Sequence, residues 1–343
     1  MKLRKLLAMS MVVATGLTLA SCGGNKVYTG IGYNGSWDEA KNQLDLTAAF
    51  VAFNSKGQVV DARIDVVQVK VGLNVAKGGL ALLNTNVKDG SVTTKLELGK
   101  EYNMLNNPYG SKLAEVDTQI EAFADWTVGQ TVEEIEAKID PTLGHGTAHH
   151  AELEGKVTIT CTAFVDAMKV AYANRSEKAV KVGKEAKAGI AMVSNLAYNY
   201  GNPQTDISVD VAGVLVENGK VVASEIDAIV YPLSISALGA ITPNAESYYF
   251  QANQLTSKNT LGDKYGMKGV GSNHETGEVC TLEWYEQAAI IEAGALNKTS
   301  SEIATLKANT GELAGATITL NNYVAALAKA AKYAEMEHVG PQW

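Results

Sequence analysis

One sentence of this chain is written twice, and that constrains the fold more than any other feature. Residues 152–171 read "ELEGKVTITCTAFVDAMKVA" and residues 312–330 read "ELAGATITLNNYVAALAKA". Thr158-Ile159-Thr160 recurs as Thr317-Ile318-Thr319, and Gly30-Ile31 recurs as Gly189-Ile190, both at a spacing of 159 residues. Between these ends the landmarks keep their order. "NSKGQVVDARID" (54–65) answers "VENGKVVASEID" (216–227), "LGKEYNM" (98–104) answers "LGDKYGM" (261–267), and "TVEEI" (131–135) answers "TSSEI" (299–303). Five ordered matches describe a tandem duplication of one domain, since solenoid repeats have periods of only 20–50 residues. The length agrees, because 343 residues is about two domains at roughly 150 residues each.

Each unit predicts the same elements. Thr47 to Phe53 and Val59 to Val66 read as alternating strands about a turn at Ser55-Lys56-Gly57, and the second copy turns at Glu217-Asn218-Gly219. Asn-Gly between apolar runs is a strong hairpin signal. Thr131 with Glu134, and Thr299 with Glu302, fit capping boxes at helix starts. The closing helix carries Phe164, Met168 and Tyr172 in one copy and Tyr323, Leu327 and Ala331 in the other, a stripe that reads as core packing. The polar, Lys-rich stretch 174–188 reads as a linker. The expected class is α+β, twice, each copy an antiparallel sheet with packed helices. The first domain spans 28–173 and the second 189–343.

The front end sets the address. Lys2, Arg4 and Lys5 precede an apolar run from Leu6 to Leu19, which is short for a bilayer span and has the build of a signal segment. Leu19-Ala20-Ser21-Cys22 resembles the lipobox of bacterial lipoproteins. This implies a signal peptide over 1–21, a lipidated Cys22, a tether over 22–27, and a chain held on the extracytoplasmic face of the membrane by lipid alone. An ordinary secretory signal cut nearby is the alternative. The formal net charge of -8 offers no basic stripe to neutralise phosphates, which argues against a nucleic-acid partner. The three cysteines form no CxxC pair, so no zinc or iron–sulfur framework of the usual spacing is present. Cys161 and Cys280 have no spacing that indicates a disulfide. No metal site is assigned.

Gly315-Ala316-Thr317-Ile318-Thr319 resembles the Asp-x-x-Ser-Gly-Ala-Thr-x-Ser/Thr motif of FMN-binding domains, in which the Thr carries FMN through a phosphoester bond. Flavinylated subunits of sodium-pumping NADH:quinone oxidoreductases and of Rnf complexes carry this motif. The chain is more similar to tandem flavinylated lipoproteins of extracellular electron transfer in Gram-positive bacteria. That resemblance covers nearly the whole mature chain and includes the lipobox, Thr29-Gly30-Ile31-Gly32, "KYGM" (264–267), "EWYEQA" (283–288), "VGQTVEEI" (128–135) and Val157-Thr158-Ile159. Copy two departs from the motif at Ala314, where the family has Ser, and at Gly311, where it has an acid, with Glu312 one place later. Copy one has Gly155-Lys156 before Val157, with Glu152 in the acidic place.

The resemblance implies an electron carrier and not an enzyme, with at most one covalent FMN per domain, on Thr317 and on Thr158. Gly315, Ala316, Val157, Thr319 and Thr160 are the flanking motif positions. It also implies a separate flavin transferase that uses FAD and a divalent cation and releases AMP. A membrane-bound electron donor and an external acceptor complete the expected partners. A phosphate just before a helix start is favoured by unpaired backbone amides and the helix dipole. Without the family, Thr-Ile-Thr is only a β-prone tripeptide.

Other features stay open. The insertion "LGHGTAHHAE" (143–152) brings His145, His149 and His150 close to Thr158, where they can bind a metal, contact a flavin or stand in solvent. Tyr102 with Met104, and Tyr265 with Met267, recur in register and suit either a core or a flavin slot. Trp126 and Trp284 fall in helical segments and read as core. Phosphate loops and nucleophile elbows are absent from the sequence. The alternatives to electron transfer are a solute-binding lipoprotein that uses the cleft between like domains, and a structural surface protein without flavin.

Overall fold

The computed structural model describes residues 25–76, 78–108, 110, 112–144, 146–197, 205–251, 254–270, 279–308 and 310–342. The signal segment, Cys22 and His145 lie outside the described residues. The chain is mixed α+β with antiparallel sheets. Strands β1 (Asn25–Asp38), β2 (Gln43–Phe53), β3 (Val59–Leu73) and β4 (Leu80–Leu82) lie side by side in the order β4-β3-β2-β1. A ribbon of β5 (Val87–Lys88) and β6 (Ser91–Val92) leads to α1 (Lys95–Leu98), α2 (Val116–Thr127), α3 (Val132–Lys138) and α4 (Thr162–Ala173). After β7 (Val180–Val182), the second half runs β8 (Lys187–Leu196), β9 (Asp206–Glu217), β10 (Lys220–Ile235) and β11 (Ile241–Pro243), in the order β11-β10-β9-β8. The ribbon β12 (Phe250–Gln251) and β13 (Gln254–Leu255) follows, then α5 (Lys258–Leu261), α6 (Trp284–Ala295), α7 (Ser300–Ile303) and α8 (Asn321–Ala334). The two halves repeat one strand order and one helix order.

Local stereochemistry accounts for the repeated elements. Asn218 and Gly219 take φ of 52° and 74°, the left-handed pair that a two-residue hairpin needs. Both expected capping boxes form. Thr131 N donates to Glu134 Oε2 at 2.8 Å while Glu134 N donates to Thr131 Oγ1 at 3.2 Å, and Thr299 and Glu302 exchange the same bonds at 2.8 and 3.3 Å. Gly30 and Gly189 are required for a different reason. A Cβ on Gly30 would sit 2.1 Å from Ala171 O, and a Cβ on Gly189 would sit 2.1 Å from Ala330 O. Only glycine lets the closing helix of each half lie directly on its first strand.

The alternation expected of the strands is not half-solvated. Thr47 to Phe53 is buried on both faces, because each sheet has helices on one side and the other sheet on its second side. In the second half the two faces separate cleanly. Ile190, Met192, Val209 and Val211 join the core of the first half, whereas Ala191, Val193, Ala212 and Val214 pack with α6 and α8. The result is four layers, helix–sheet–sheet–helix, with side chains packed between the sheets at the centre and a cavity of about 530 Å³ between β1 and α4 of the first half and Tyr231, Phe250 and Leu255 of the second. Strands covered on both faces read as continuous apolar runs, as β2 does.

The segment 174–188 is more than a bare connection. Within it, Val180–Val182 pairs antiparallel with Asn25–Val27 and adds a fifth strand to the first sheet. Side chains also tie the halves together. Asp61 Oδ2 accepts from Ala188 N at 2.7 Å, Glu97 Oε1 takes Lys329 Nζ at 3.1 Å and Tyr333 OH at 2.8 Å, and Thr29 Oγ1 donates to Glu225. No helix among the described residues is long and apolar enough to cross a membrane.

Candidate functional site

The site is built from the first turn of one helix in each half. Glu115 precedes α2, and its carboxylate accepts Met104 N at 2.7 Å and Leu105 N at 3.4 Å. Four residues on, and so on the same helix face, stands Gln119, which is fully buried. Its amide nitrogen donates to Ala114 O at 2.7 Å and approaches Met104 Sδ at 3.6 Å. This turns Oε1 toward Thr158, whose N and Oγ1 both donate to it, at 2.8 and 3.2 Å.

The second half repeats every bond. Glu283 takes Met267 N at 2.9 Å and Lys268 N at 3.2 Å. Gln287 Nε2 donates to Leu282 O at 3.2 Å and lies 3.4 Å from Met267 Sδ. Its Oε1 accepts Thr317 N at 2.7 Å, Thr317 Oγ1 at 3.1 Å and Ile318 N at 3.0 Å. An amide suits this place because it donates from one end and accepts at the other. A carboxylate has no donor for the Leu282 carbonyl, and a hydrocarbon strands the threonine amide.

Each threonine hydroxyl therefore gives its proton inward, which turns the oxygen's lone pairs away from the glutamine. Both threonines are half-buried and sit in irregular segments, not strands. Each lies four residues before the first residue of a long helix, α4 or α8. The capping residues Cys161 and Leu320 make no side-chain cap bond. A phosphoester on either oxygen would lie near the helix start, where dipole and amides favour negative charge.

The flanking positions divide by role. Val157 and Ala316 are fully buried and anchor the segment from below. Gly315 is exposed with φ of 94°, and Gly155 takes φ of 70° at the same point of copy one. Both follow a 3-10 turn, Ala151–Leu153 or Gly311–Leu313, whose leucine is buried. Glu152 and Glu312 hold the same place in these turns. Lys156 is one extra residue between that glycine and Val157. Thr160 is half-buried and Thr319 is exposed.

Around the sites the halves differ. In copy one, Gly146 N donates to Thr158 O at 2.9 Å, so the insertion folds back onto the threonine segment. His150 packs beside Trp126 with ring centroids 5.6 Å apart, and Trp126 Nε1 donates to Glu152 at 2.7 Å. His149 is buried with Nδ1 2.8 Å from Asp140 O. Trp126 is thus half-buried at this corner, whereas Trp284 is core. Among the described residues no group of three His, Cys, Asp or Glu is placed to hold a metal ion. Cys161 and Cys280 are free thiols. Burial pushes Cys161 up to about 12, and Cys280 Sγ lies 3.9 Å from Thr317 Oγ1.

In copy two, a cavity of about 480 Å³ opens beside the threonine segment. Thr319, Asn322, Tyr323, Lys258, Tyr248 and Tyr265 are among the residues that line it. A half-buried hydroxyl, amides at a helix start and an aromatic cavity fit a phosphoester-linked flavin.

Gln119, Gln287, Glu115 and Glu283 were not singled out by the sequence reading. The signal was there, since Glu-x-x-x-Gln recurs at 115–119 and 283–287, a spacing of 168 residues. Insertions move it off the 159-residue register. Comparison of the chain with protein-family models, with curated proteins and with solved structures finds no match.

Proposed function

We propose that this chain is a lipid-anchored, extracytoplasmic electron carrier built of two FMN-binding-like domains, with FMN held by phosphoester bonds to Thr317 and Thr158. The observation that carries this reading is the duplicated threonine–glutamine clasp. Two hydroxyls at the motif positions are oriented by the same buried amide in each half.

The flavin supplies the redox chemistry, and the protein supplies placement and electrostatics. Gln287 and Gln119 hold the threonine oxygens, Gly315 and Gly155 make the turn before them, and the first turns of α8 and α4, four residues on, would supply amides to a phosphate there. Attachment belongs to a separate flavin transferase, as the resemblance implies. Covalent linkage suits an address outside the membrane, where a dissociating flavin is lost to bulk solution. The donor is a membrane-bound reductant and the acceptor lies outside. The alternative, a solute-binding lipoprotein, has a candidate cleft in the cavity of about 530 Å³ between β1 and α4 of one half and β10 and the β12–β13 ribbon of the other, but it leaves the duplicated threonine–glutamine clasp without a role.

Intact mass tests the proposal. Co-production with a flavin transferase should add two FMN groups, and Thr317→Ala and Thr158→Ala should each remove one. A colourless wild-type chain of unmodified mass overturns the reading.

A further inference from the structure

We infer that the cavity walled by Tyr248, Tyr249, Tyr265 and Tyr323 seats the flavin ring carried on Thr317, giving the second half a ring environment that the first half lacks. This rests on the reading of Thr317 as a flavin handle and specifies where the ring goes.

Position is the first support. Thr319 stands in the cavity wall, two residues and so at most about 7 Å of backbone from Thr317. A second route converges on the same place. Gln287, which holds Thr317, also meets Met267, and Tyr265 lies two residues before Met267 and lines the cavity. A ribityl arm rooted at Thr317 starts beside this opening.

Size and chemistry agree. The cavity of about 480 Å³ lies within the ~300–1,000 Å³ of small-molecule sites. Its walls are aromatic. Tyr248 and Tyr249 have ring centroids 4.2 Å apart, Tyr248 and Tyr265 are 6.5 Å apart, and Tyr323 is held by Trp284 Nε1 at 3.2 Å. Burial raises the Tyr249 and Tyr323 hydroxyls, which keeps these walls as neutral phenols. Polar groups gather at one side. Lys258 Nζ stands 5.1 Å from the Tyr265 ring centre, and Asn322 Nδ2 donates to Asp210 at 2.9 Å. A planar ring with one apolar end and one end of carbonyls matches that division.

The first half repeats the cavity but not its aromatic lining. At the duplicated positions Asn322 becomes Ala163, Tyr323 becomes Phe164 and Asp210 becomes Thr47, whereas Lys258 and Tyr265 keep their counterparts Lys95 and Tyr102. Lys95 and Tyr102 line the equivalent cavity of about 410 Å³, where Thr85 and Asn86 stand in place of the tyrosine pair and Gln68, Asn84 and Glu101 join the lining. The two flavins therefore sit in different surroundings on one chain.

The test uses the full chain carrying Thr158→Ala, co-produced with flavin transferase, so that Thr317 alone is loaded. Intact mass first reports attachment. Phenols stacked on a flavin quench its emission, so the Thr317-linked flavin should emit at least fivefold less than free FMN. Tyr248→Leu and Tyr265→Leu should each recover at least threefold, with attachment unchanged. The same substitutions in a Thr317→Ala chain should leave the Thr158-linked emission where it was. Tyr248 is 50% exposed, so Tyr248→Leu leaves the core intact and carries the test if Tyr265→Leu does not fold. Full attachment with emission equal to free FMN, or emission indifferent to both substitutions, overturns the ring site while leaving the flavin reading standing. Absence of FMN mass on Thr317 overturns both, and mass alone tells these failures apart.

Discussion

A single oxygen atom in each half carries the organisation of the site. Gln287 Oε1 satisfies two backbone amides and one hydroxyl, and an amide left without an acceptor in a buried setting costs about 1–3 kcal/mol. Gln287→Leu keeps the volume and removes the acceptor. It should destabilise the protein by about 2–3 kcal/mol in urea denaturation and slow FMN loading at Thr317, with Thr158 loading unchanged. Because Gln119 guards the other half, the chain contains its own control, read by intact mass after short reaction times. Equal loading of both threonines in Gln287→Leu removes the positioning role from the glutamine. At this scale the threonines were legible, because a motif of adjacent residues is readable in one dimension. Their partners were not. Thr158 and Thr317 stand 39 and 30 residues from the glutamines that hold them, and no local rule pairs residues at such distances.

Elements are joined by buried carboxyls, again in duplicate. Asp65 on β3 accepts Val66 N at 2.7 Å and Leu96 N of α1 at 3.1 Å, and Asp227 on β10 accepts Ala228 N at 2.8 Å and Asn259 N of α5 at 3.1 Å. Each staples the long third strand of its half to the helix that follows. Burial is the largest influence on both and pushes Asp65 up to about 7 and Asp227 up to about 6. Unfolded, such groups ionise near pH 4. Between about pH 4 and pH 7 the folded chain therefore binds more protons than the unfolded one, and stability falls as pH rises through that window. The urea midpoint should be higher at pH 5 than at pH 7.5. Asp65→Asn, which keeps the acceptor and loses the charge, should flatten part of the slope. A midpoint that climbs over the same range contradicts the assignment. Asp65 and Asp227 were visible as the last residues of the matched strand segments, and the capping boxes were legible as well. A cap is written within four residues, whereas the aspartates' partners lie 31 and 32 residues further on.

The whole molecule depends on the face between the sheets. Phe50 of β2 lies against Gly213 of β9, where a Cβ would come within 2.1 Å of the Phe50 ring. Gly213→Leu forces the sheets apart at their centre, and overpacking of this kind costs about 1–3 kcal/mol. The variant should show earlier proteolytic cleavage within 174–188, while wild type unfolds in one transition because one core serves both halves. Two separated transitions in wild type refute a shared core.

The sequence alone determined the α+β class, the recurring landmarks of the two halves, the turns and the caps, and it placed a threonine at the matching point of each half. These are settled by stereochemistry within a few residues, or by comparing one half of the text with the other. Tertiary structure decided that the strands are covered on both faces, that the halves share a core, and that a glutamine grips each threonine. It also lined the cavity of the second half, and not its counterpart, with tyrosines. Those outcomes depend on which side chains meet after two sheets have twisted and packed, and burial brings together residues that the linear order keeps apart.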